Sequence, residues 1–195
     1  FELFGIEKLL DEQVGLMIAT LEGRDAIGIL PTGTGKSLTF QLPAVLRPDR
    51  RPTVVISPLV ALIKDQVDDL RSRRGLKVVA GITGRTSGNE RTELLRDLAQ
   101  GRLRLLYVSP ERLISDGQLA AALESTELAT LVVDEAHCIS SWGHDFRPEF
   151  RQIPRSVRPF RPRSTLALTA TAPPDVERDI TDSLALRNPL VVRRA

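Results

Sequence analysis

The residues best suited to chemistry form a short glycine-rich run, Leu30-Pro31-Thr32-Gly33-Thr34-Gly35-Lys36-Ser37, between an apolar segment and a helical pattern. Two glycines let the backbone curl so that successive amides point at one anion. Lys36 can neutralise the β and γ phosphates of a nucleotide, and Ser37 can offer its hydroxyl to Mg²⁺. The helix that follows presents its positive end to the same anion. We therefore expect ATP and Mg²⁺ here, with nucleotide contacts from Thr32, Gly33, Thr34, Gly35, Lys36 and Ser37.

The loop departs from the general phosphate-binding motif at its first position. Leu30 stands where that motif has a glycine. The alternative interpretation is a glycine turn that contains Gly-Lys-Ser by chance. The order of strand, loop and helix around the run favours the phosphate-binding interpretation.

A pair of acids follows a later apolar run, in the sequence Asp134-Glu135-Ala136-His137. An aspartate at the carboxyl end of a parallel strand faces the crevice where ligands bind in such sheets. Asp134 is the candidate ligand for Mg²⁺, and Glu135 is the candidate base that orients and deprotonates the attacking water. His137 is placed to sense the nucleotide and to contact a later segment. The alternative is a solvated helix cap, since acids commonly open helices; the upstream phosphate loop favours the catalytic interpretation.

Apolar, β-branched runs and helical patterns alternate along the chain. Each run is short, apolar almost throughout and bounded by Gly, Pro, Ser or Asp, which is typical of strands covered on both faces of a parallel sheet. The expected strands are 26–30, 53–57, 78–82, 104–108, 130–134, 165–169 and 190–192, and the clearest helices are 11–22, 59–70, 91–99 and 174–184. The pattern predicts one α/β domain over residues 1–195, with three α/β/α layers, a mainly parallel sheet of about seven strands, and a surface connection at 43–52.

Composition narrows the possible classes of protein. The chain has 195 residues, 27 basic and 25 acidic side chains and one cysteine, so it forms no internal disulfide. It carries no apolar run near the roughly 20 residues of a membrane-spanning helix and no signal-peptide pattern. We therefore expect no membrane partner and a cytoplasmic location, associated with the nucleoid in a bacterium or nuclear in a eukaryote. The chain starts at Phe1, and its only methionine is Met17, which suggests a piece of a longer protein.

One segment combines aromatic and basic residues. Trp142, Phe146 and Phe150 fall within nine residues, although the whole chain has one Trp, one Tyr and six Phe. Unpaired bases stack on exposed aromatic rings with about 1–3 kcal/mol per base. Arg147 can add a phosphate or cation–π contact. Six arginines and a single acid lie between Arg147 and Arg163, either as a solvated surface or as a surface that follows phosphates.

Taken together, these motifs resemble the superfamily-two helicases, and the RecQ branch in particular. The similarity extends from Phe4 to about Pro189 and rests on the strings LPTGTGKS and DEAHCIS together with 57–66, 107–113, 142–150 and 168–172. It implies a RecA-like P-loop domain, the ATP-binding half of a motor that moves along single-stranded DNA and unwinds duplex DNA, 3′ to 5′. It also implies DNA repair and recombination as the setting.

The resemblance also implies roles for individual residues. Segment 57–66 corresponds to a DNA-contacting motif of the family, which gives Pro58 and Lys64 as DNA contacts. The loop that carries Trp142, Phe146 and Arg147 corresponds to the family's aromatic-rich loop, which reports DNA binding to the ATP site. Coupling between the two sites is expected from His137, His144, Thr169 and Thr171.

The chain departs from the RecQ pattern near its start. The family reads adenine there with an aromatic, an arginine and a glutamine. Ile6 and Leu10 replace the first two, and only Gln13 remains, so we expect weakened selectivity for adenine. The second RecA-like domain of the same polypeptide, which supplies an arginine finger worth about 10³–10⁵ in rate, has no counterpart here. We expect weak Mg-ATP binding, little turnover and no unwinding from the chain alone.

Two other functions remain open at this point. The first is an RNA helicase or remodeller of the DEAH type, in which the segment Asp134–His137 recurs without the loop 142–150. The second is a nucleotide-dependent nucleic-acid-binding module without strong catalysis, suggested by Ile6 and Leu10. The presence of Lys36 and Glu135 argues against the second.

Overall fold

Seven parallel strands form one sheet in a computed structural model that describes residues 4–140 and 148–194. The strand order is β3-β4-β2-β5-β6-β1-β7. The strands are β1 (Ala26–Ile29), β2 (Thr53–Ile56), β3 (Val79–Ile82), β4 (Leu105–Val108), β5 (Thr130–Val133), β6 (Ser164–Thr169) and β7 (Leu190–Arg193). Every expected strand is present within about one residue at each end, so the predicted fold class is confirmed.

Helices cover both faces of this sheet. They are α1 (Asp11–Leu21), α2 (Leu38–Leu46), α3 (Val60–Asp68), α4 (Gly88–Ala99), α5 (Pro110–Ser115), α6 (Gly117–Glu124), α7 (Ile153–Val157) and α8 (Pro174–Ser183). A π turn at Asp69–Arg73 prolongs α3, and 3₁₀ turns lie at Ala136–Ile139 and Pro148–Gln152. None of the helices in the described ranges is both long enough and apolar enough to cross a membrane.

The core has two halves, because successive side chains of a strand point to opposite faces. Ile27 and Ile29 of β1 belong to the half that packs under α4 to α8, together with Leu94, Leu119 and Ile180. The other half holds alternate strand residues under α1, α2 and α3. The three layers predicted from the apolar runs are thus observed.

Local chemistry sets where some helices begin. Ser87 accepts a hydrogen bond from the Glu90 amide at 3.3 Å, and Glu90 accepts one from the Ser87 amide at 2.9 Å. This capping box starts α4 at Gly88, three residues before the expected start. Pro174 opens α8, where a missing amide hydrogen costs nothing.

The expectation of a surface connection at 43–52 is wrong in its first part. Pro43 is buried inside α2, which continues to Leu46. Proline removes one bond of the helix there, yet the neighbouring residues Leu42, Ala44 and Val45 pack into the core, while Leu46 is exposed. Burial therefore outweighs the local cost of proline in this nine-residue helix.

Register brings the predicted site residues to one edge of the sheet. β2 and β5 pair with Ile56 beside Val133, so Ser57 and Asp134 follow at neighbouring positions. β1 and β6 pair with Ile29 beside Thr169, and the Leu30 amide donates to the Thr169 carbonyl at 3.0 Å. The phosphate loop, the acids and the Thr169 segment therefore leave the sheet at its carboxyl edge.

Candidate functional site

The phosphate loop connects β1 to α2 and depends on glycine at two positions. Gly33 has φ 81° and Gly35 has φ 74°, a left-handed region that side chains with a Cβ rarely adopt. A Cβ on Gly35 would also lie 2.9 Å from Gln13 Nε2. The backbone at Gly35 therefore admits no larger residue without displacing a neighbouring side chain.

Lys36 lies folded back over the start of the loop. Its Nζ donates to the Leu30 carbonyl at 3.0 Å, and Thr34 Oγ1 donates to the Pro31 carbonyl at 2.7 Å. The side chain of Leu30 is fully buried in the core below α1 and α2. The residue that departs from the general motif thus anchors the loop to the core, while its carbonyl holds the lysine.

Gln13 fastens the loop to the beginning of α1. Its Nε2 donates to the carbonyls of Thr34 at 2.8 Å and Gly35 at 3.2 Å, and its Oε1 accepts from the Leu10 amide at 2.9 Å. The residue is 3% exposed. The structure therefore gives Gln13 a role in shaping the loop that the sequence did not suggest, and its contact with adenine stays a prediction.

Asp134 lies directly after β5, where its carboxylate is held on both sides. Oδ1 accepts from the Glu135 amide at 3.0 Å, and Ser57 Oγ donates to Oδ2 at 3.4 Å. Burial, followed by the negative charge of Glu135, raises the pKa of Asp134 to about 6. The ammonium of Lys36 lowers the same pKa, so the lysine of the loop and this acid share one electrostatic environment.

Glu135 has a strained backbone. Its φ of 51° and ψ of 43° place a non-glycine residue in the left-handed region, which costs about 1–3 kcal/mol. This turn ends the strand and starts the 3₁₀ turn Ala136–Ile139. The turn therefore takes Glu135 out of the strand's alternation, in which the side chains of consecutive residues point to opposite faces.

His137 joins the acid segment to the segment after β6. Its Nδ1 lies 2.9 Å from Thr169 Oγ1 and 3.4 Å from Glu135 Oε2. Thr169 Oγ1 donates to the Thr171 carbonyl at 2.9 Å and accepts from the Thr171 amide at 3.3 Å. Which of the two atoms donates in the bond between His137 and Thr169 depends on the tautomer of the imidazole ring. Three of the four predicted coupling residues are thus in contact, and Thr171 takes part through its backbone.

The predicted DNA contacts are only partly described. Pro58 is buried between β2 and α3, and Lys64 is exposed on α3, beside a cavity of about 570 Å³ that also reaches β3 and α4. Trp142, His144, Phe146 and Arg147 lie outside the residues that the structure describes.

A buried polar cluster, which no motif in the sequence indicated, links α2, α3 and β4. Gln41 Nε2 donates to Gln66 Oε1 at 2.5 Å and to the Tyr107 hydroxyl at 2.8 Å. Burial raises the pKa of Tyr107. The first helix after the phosphate loop is therefore joined directly to Gln66 and Tyr107, which lie within the segments 57–66 and 107–113.

A phosphate loop and an acid pair at the carboxyl edge of a parallel sheet are the features of a P-loop nucleotide-binding domain. Residues 11–179 match the family model for the DEAD/DEAH box helicase, and the chain belongs to that family.

Several curated relatives are RecQ-type helicases, which confirms the resemblance. The chain is 43% identical to ATP-dependent DNA helicase Q5 of Rattus norvegicus over 185 residues, covering 91% of this chain and 18% of that protein. It is 40% identical to ATP-dependent DNA helicase RecQ of Bacillus subtilis, covering 94% of this chain and 31% of that protein. It is 36% identical to ATP-dependent helicase SGS1 of Saccharomyces cerevisiae, and the match covers 100% of this chain and 14% of that protein. The chain thus spans less than a third of each of these relatives.

Solved structures show the same fold at lower sequence identity. The helicase MrfA bound to DNA superposes with a TM-score of 0.73 at 18% identity, covering 98% of this chain and 26% of that one. A hypothetical ATP-dependent RNA helicase from Sulfolobus tokodaii superposes with a TM-score of 0.72 at 19% identity, and the match covers 98% of this chain and 54% of that one. These likenesses support the RecA-like α/β/α architecture of the chain.

Proposed function

We propose that this chain is the first motor domain of a RecQ-like DNA helicase, which hydrolyses ATP to move along single-stranded DNA and to unwind duplex DNA 3′ to 5′. The observation that carries the proposal is the shared environment of Lys36 and Asp134 at one edge of the sheet. His137 contacts both Glu135, which follows Asp134, and Thr169, and so connects the nucleotide site to the segment after β6.

The donor groups at this edge fit a magnesium nucleotide. Carboxylate and hydroxyl oxygens are ligands that Mg²⁺ prefers, and Mg²⁺ usually takes only one or two carboxylates together with phosphates and water. Asp134 and Ser37 would hold the ion, and no larger cluster of metal-binding side chains exists in the described part of the chain. Bound there, Mg²⁺ would neutralise charge on the phosphates.

The side chains divide the remaining work of hydrolysis. Lys36 would exchange the Leu30 carbonyl for phosphate oxygens, which are stronger acceptors for an ammonium group. Glu135 would orient the attacking water and accept its proton. His137 contacts both Glu135 and Thr169, so a change at the base is passed to the segment after β6.

The remaining parts of the motor belong to the proposal as well. A second RecA-like domain of the same polypeptide would close over the nucleotide and supply the arginine that stabilises the developing charge. Single-stranded and duplex DNA would be the partners, in the cytoplasm or nucleus and without a membrane. The chain alone would bind Mg-ATP weakly and turn it over slowly.

Binding of a fluorescent ATP analogue tests the proposal on this chain. We expect Mg²⁺-dependent binding that Lys36→Ala abolishes and Glu135→Gln preserves, because of these two side chains only that of Lys36 would contact the phosphates. Equal binding by the Lys36→Ala chain would contradict the assignment of the loop.

Hydrolysis tests the remaining assignments. In a longer protein that includes a second RecA-like domain, Glu135→Gln should abolish ATP turnover. DNA should stimulate the parent enzyme more than RNA does. Undiminished turnover by Glu135→Gln would refute the assigned base, and stronger stimulation by RNA would favour an RNA helicase.

A further inference from the structure

Five exposed arginines follow one another on a surface that the proposed mechanism does not use. They are Arg151, Arg155, Arg158, Arg161 and Arg163, here called the arginine stripe. No acidic residue occurs in the sequence between the first and the last of them. The stripe is therefore a local concentration of positive charge on a chain whose formal net charge is only +2.

The central arginines of the stripe form no ion pair within the described part of the chain. Arg155, Arg158 and Arg161 have neither a hydrogen bond nor a salt bridge with any described residue, whereas Arg163 lies 3.4 Å from Asp49. Some arginines elsewhere on the surface are paired, as Arg51 is with Glu127 at 2.8 Å, whereas others, such as Arg96 and Arg187, have no described side-chain partner. Three adjacent charges of the stripe are thus free to bind an external anion.

The apolar residues of the same segment hold the stripe outward. The segment comprises the 3₁₀ turn Pro148–Gln152, α7 and the connection to β6, and its buried side chains are Phe150, Ile153, Val157 and Phe160. Arg155 lies on α7 and Arg158 is its C-terminal cap, three residues further on, so these two side chains leave neighbouring positions of one helix face. Neighbours at this spacing have Cβ atoms about 5–6 Å apart, so both guanidinium groups can act on one stretch of phosphate backbone.

Among the described residues of this segment, the stripe offers charge without a stacking surface. Its two aromatic residues, Phe150 and Phe160, are 0% and 6% exposed, so neither ring is available to a base. Surfaces that hold single strands combine positive charge with exposed aromatic rings. A surface with positive charge alone fits a backbone whose bases are already paired.

The position of the stripe connects it to the proposed DNA-binding segments. The turn Pro148–Gln152 and α7 both pack against α5. The helix α5 begins at Pro110, inside the segment 107–113 that forms part of the resemblance to RecQ helicases. The arginines therefore lie on elements that pack against one of the segments on which the proposed function rests.

We propose that the arginine stripe is a binding surface for the phosphate backbone of duplex DNA, formed by residues other than those of the ATP site and other than Trp142, Phe146 and Arg147. This proposal rests on the proposed function, since the stripe would bind the duplex that the motor would unwind. Recognition is independent of sequence, because guanidinium groups bind phosphates and carry no information about the bases.

Fluorescence anisotropy with a labelled short duplex, and with one of its strands alone, tests this surface. The variant is Arg155→Gln/Arg158→Gln, and the matched control is Arg96→Gln/Arg187→Gln, which removes two exposed arginines without described side-chain partners elsewhere. Each phosphate contact contributes about 0.9 to the slope of log affinity against log salt, so the stripe variant should lose about 1.8 of this slope on duplex DNA. Raising salt from about 50 to about 200 mM should then weaken the parent about 12-fold more than the variant.

The control variant should keep the parent's affinity for the duplex and its salt slope. For the single strand, the affinities of the parent and the stripe variant should differ far less than they do for the duplex. Arg155→Lys/Arg158→Lys should restore duplex binding, and equal urea midpoints establish that the variants fold. Equal duplex binding by parent and stripe variant, equal losses on duplex and single strand, or no duplex binding by the parent would each overturn the proposal. The ATP-binding tests of Lys36 are independent of all these outcomes, so the proposed function can survive failure of the stripe.

Discussion

Asp134 should destabilise the nucleotide-free protein at neutral pH. Burial and the neighbouring charge of Glu135 raise its pKa from 3.8 to about 6. Because the folded-state pKa lies above the unfolded one, the carboxyl group favours folding fully below pH 3.8, and this contribution is lost as the pH rises through about 6. At neutral pH the folded protein therefore contains an ionised Asp134 carboxylate, and the burial of this charge lowers the free energy of unfolding.

The substitution Asp134→Asn removes this titration and little else. The amide oxygen can still accept from the Glu135 backbone, and the amide nitrogen can donate to Ser57 Oγ. At about pH 5 the parent carboxyl lies one unit below its folded pKa, which corresponds to about 1.4 kcal/mol of stability that is absent at about pH 8. The gain in unfolding free energy from Asp134→Asn should therefore be about 1.4 kcal/mol larger at the higher pH.

Urea unfolding in the presence of a chelator at these two pH values measures the difference. Asp182→Asn is a suitable control, because Asp182 is exposed on α8. The same Asp134 variant should lose Mg²⁺-dependent nucleotide binding, since the amide is a poor ligand for the ion. A stability gain that is equal at both pH values, or larger at the lower one, would refute the reasoning.

Three further substitutions test other parts of the structure. Hydrogen bonds from Ser87 lower the pKa of Glu90, so the ionised Glu90 carboxylate stabilises the fold above the ordinary carboxyl pKa, and this stabilisation is lost as the pH falls through the lowered value. Glu90→Gln should therefore reduce the urea midpoint at neutral pH but not in acid. The control Glu93→Gln should leave the midpoint unchanged at both pH values. Gln41→Leu should cost about 1–3 kcal/mol in urea unfolding, because it leaves the Tyr107 hydroxyl buried without its donor, and adding Tyr107→Phe should recover part of that loss. Gly35→Ala should weaken binding of a fluorescent ATP analogue while the circular dichroism spectrum stays that of the parent, since its Cβ would displace Gln13; unchanged affinity would show that the loop tolerates the side chain.

The sheet was predictable because its strands carry their own signal. Short, almost wholly apolar runs bounded by polar or turn residues are correctly predicted as strands when both faces of the strand are buried, as in β2 and β5. The edge strand β7 was also found, although only alternate residues are half-buried there. The site residues on these strands followed directly, because parallel strands end at the same edge.

The contacts that shape the site could not be predicted in this way. Gln13 and Thr34 are 21 residues apart, and His137 and Thr169 are 32 residues apart, so only the packing of α1 and the pairing of the strands bring them together. The helices α5 and α7 have six and five residues, too few for a helical period to be visible. Tertiary packing decided these features, as it did for Pro43 in α2.

The nucleotide-free site holds charges that are poorly compensated. Lys36 is bonded to a neutral carbonyl, and Asp134 is ionised at neutral pH against the effect of burial and of Glu135. A magnesium nucleotide carries both missing charges, with phosphates for the lysine and a cation for the acid. The same groups that weaken the empty fold would thus strengthen the bound one, and any ligand specific to the folded state adds about 2.7 kcal/mol at one hundred times its Kd. Under the proposed function, stability at this edge would be exchanged for binding, which would account for the strain at Glu135 and the raised pKa of Asp134.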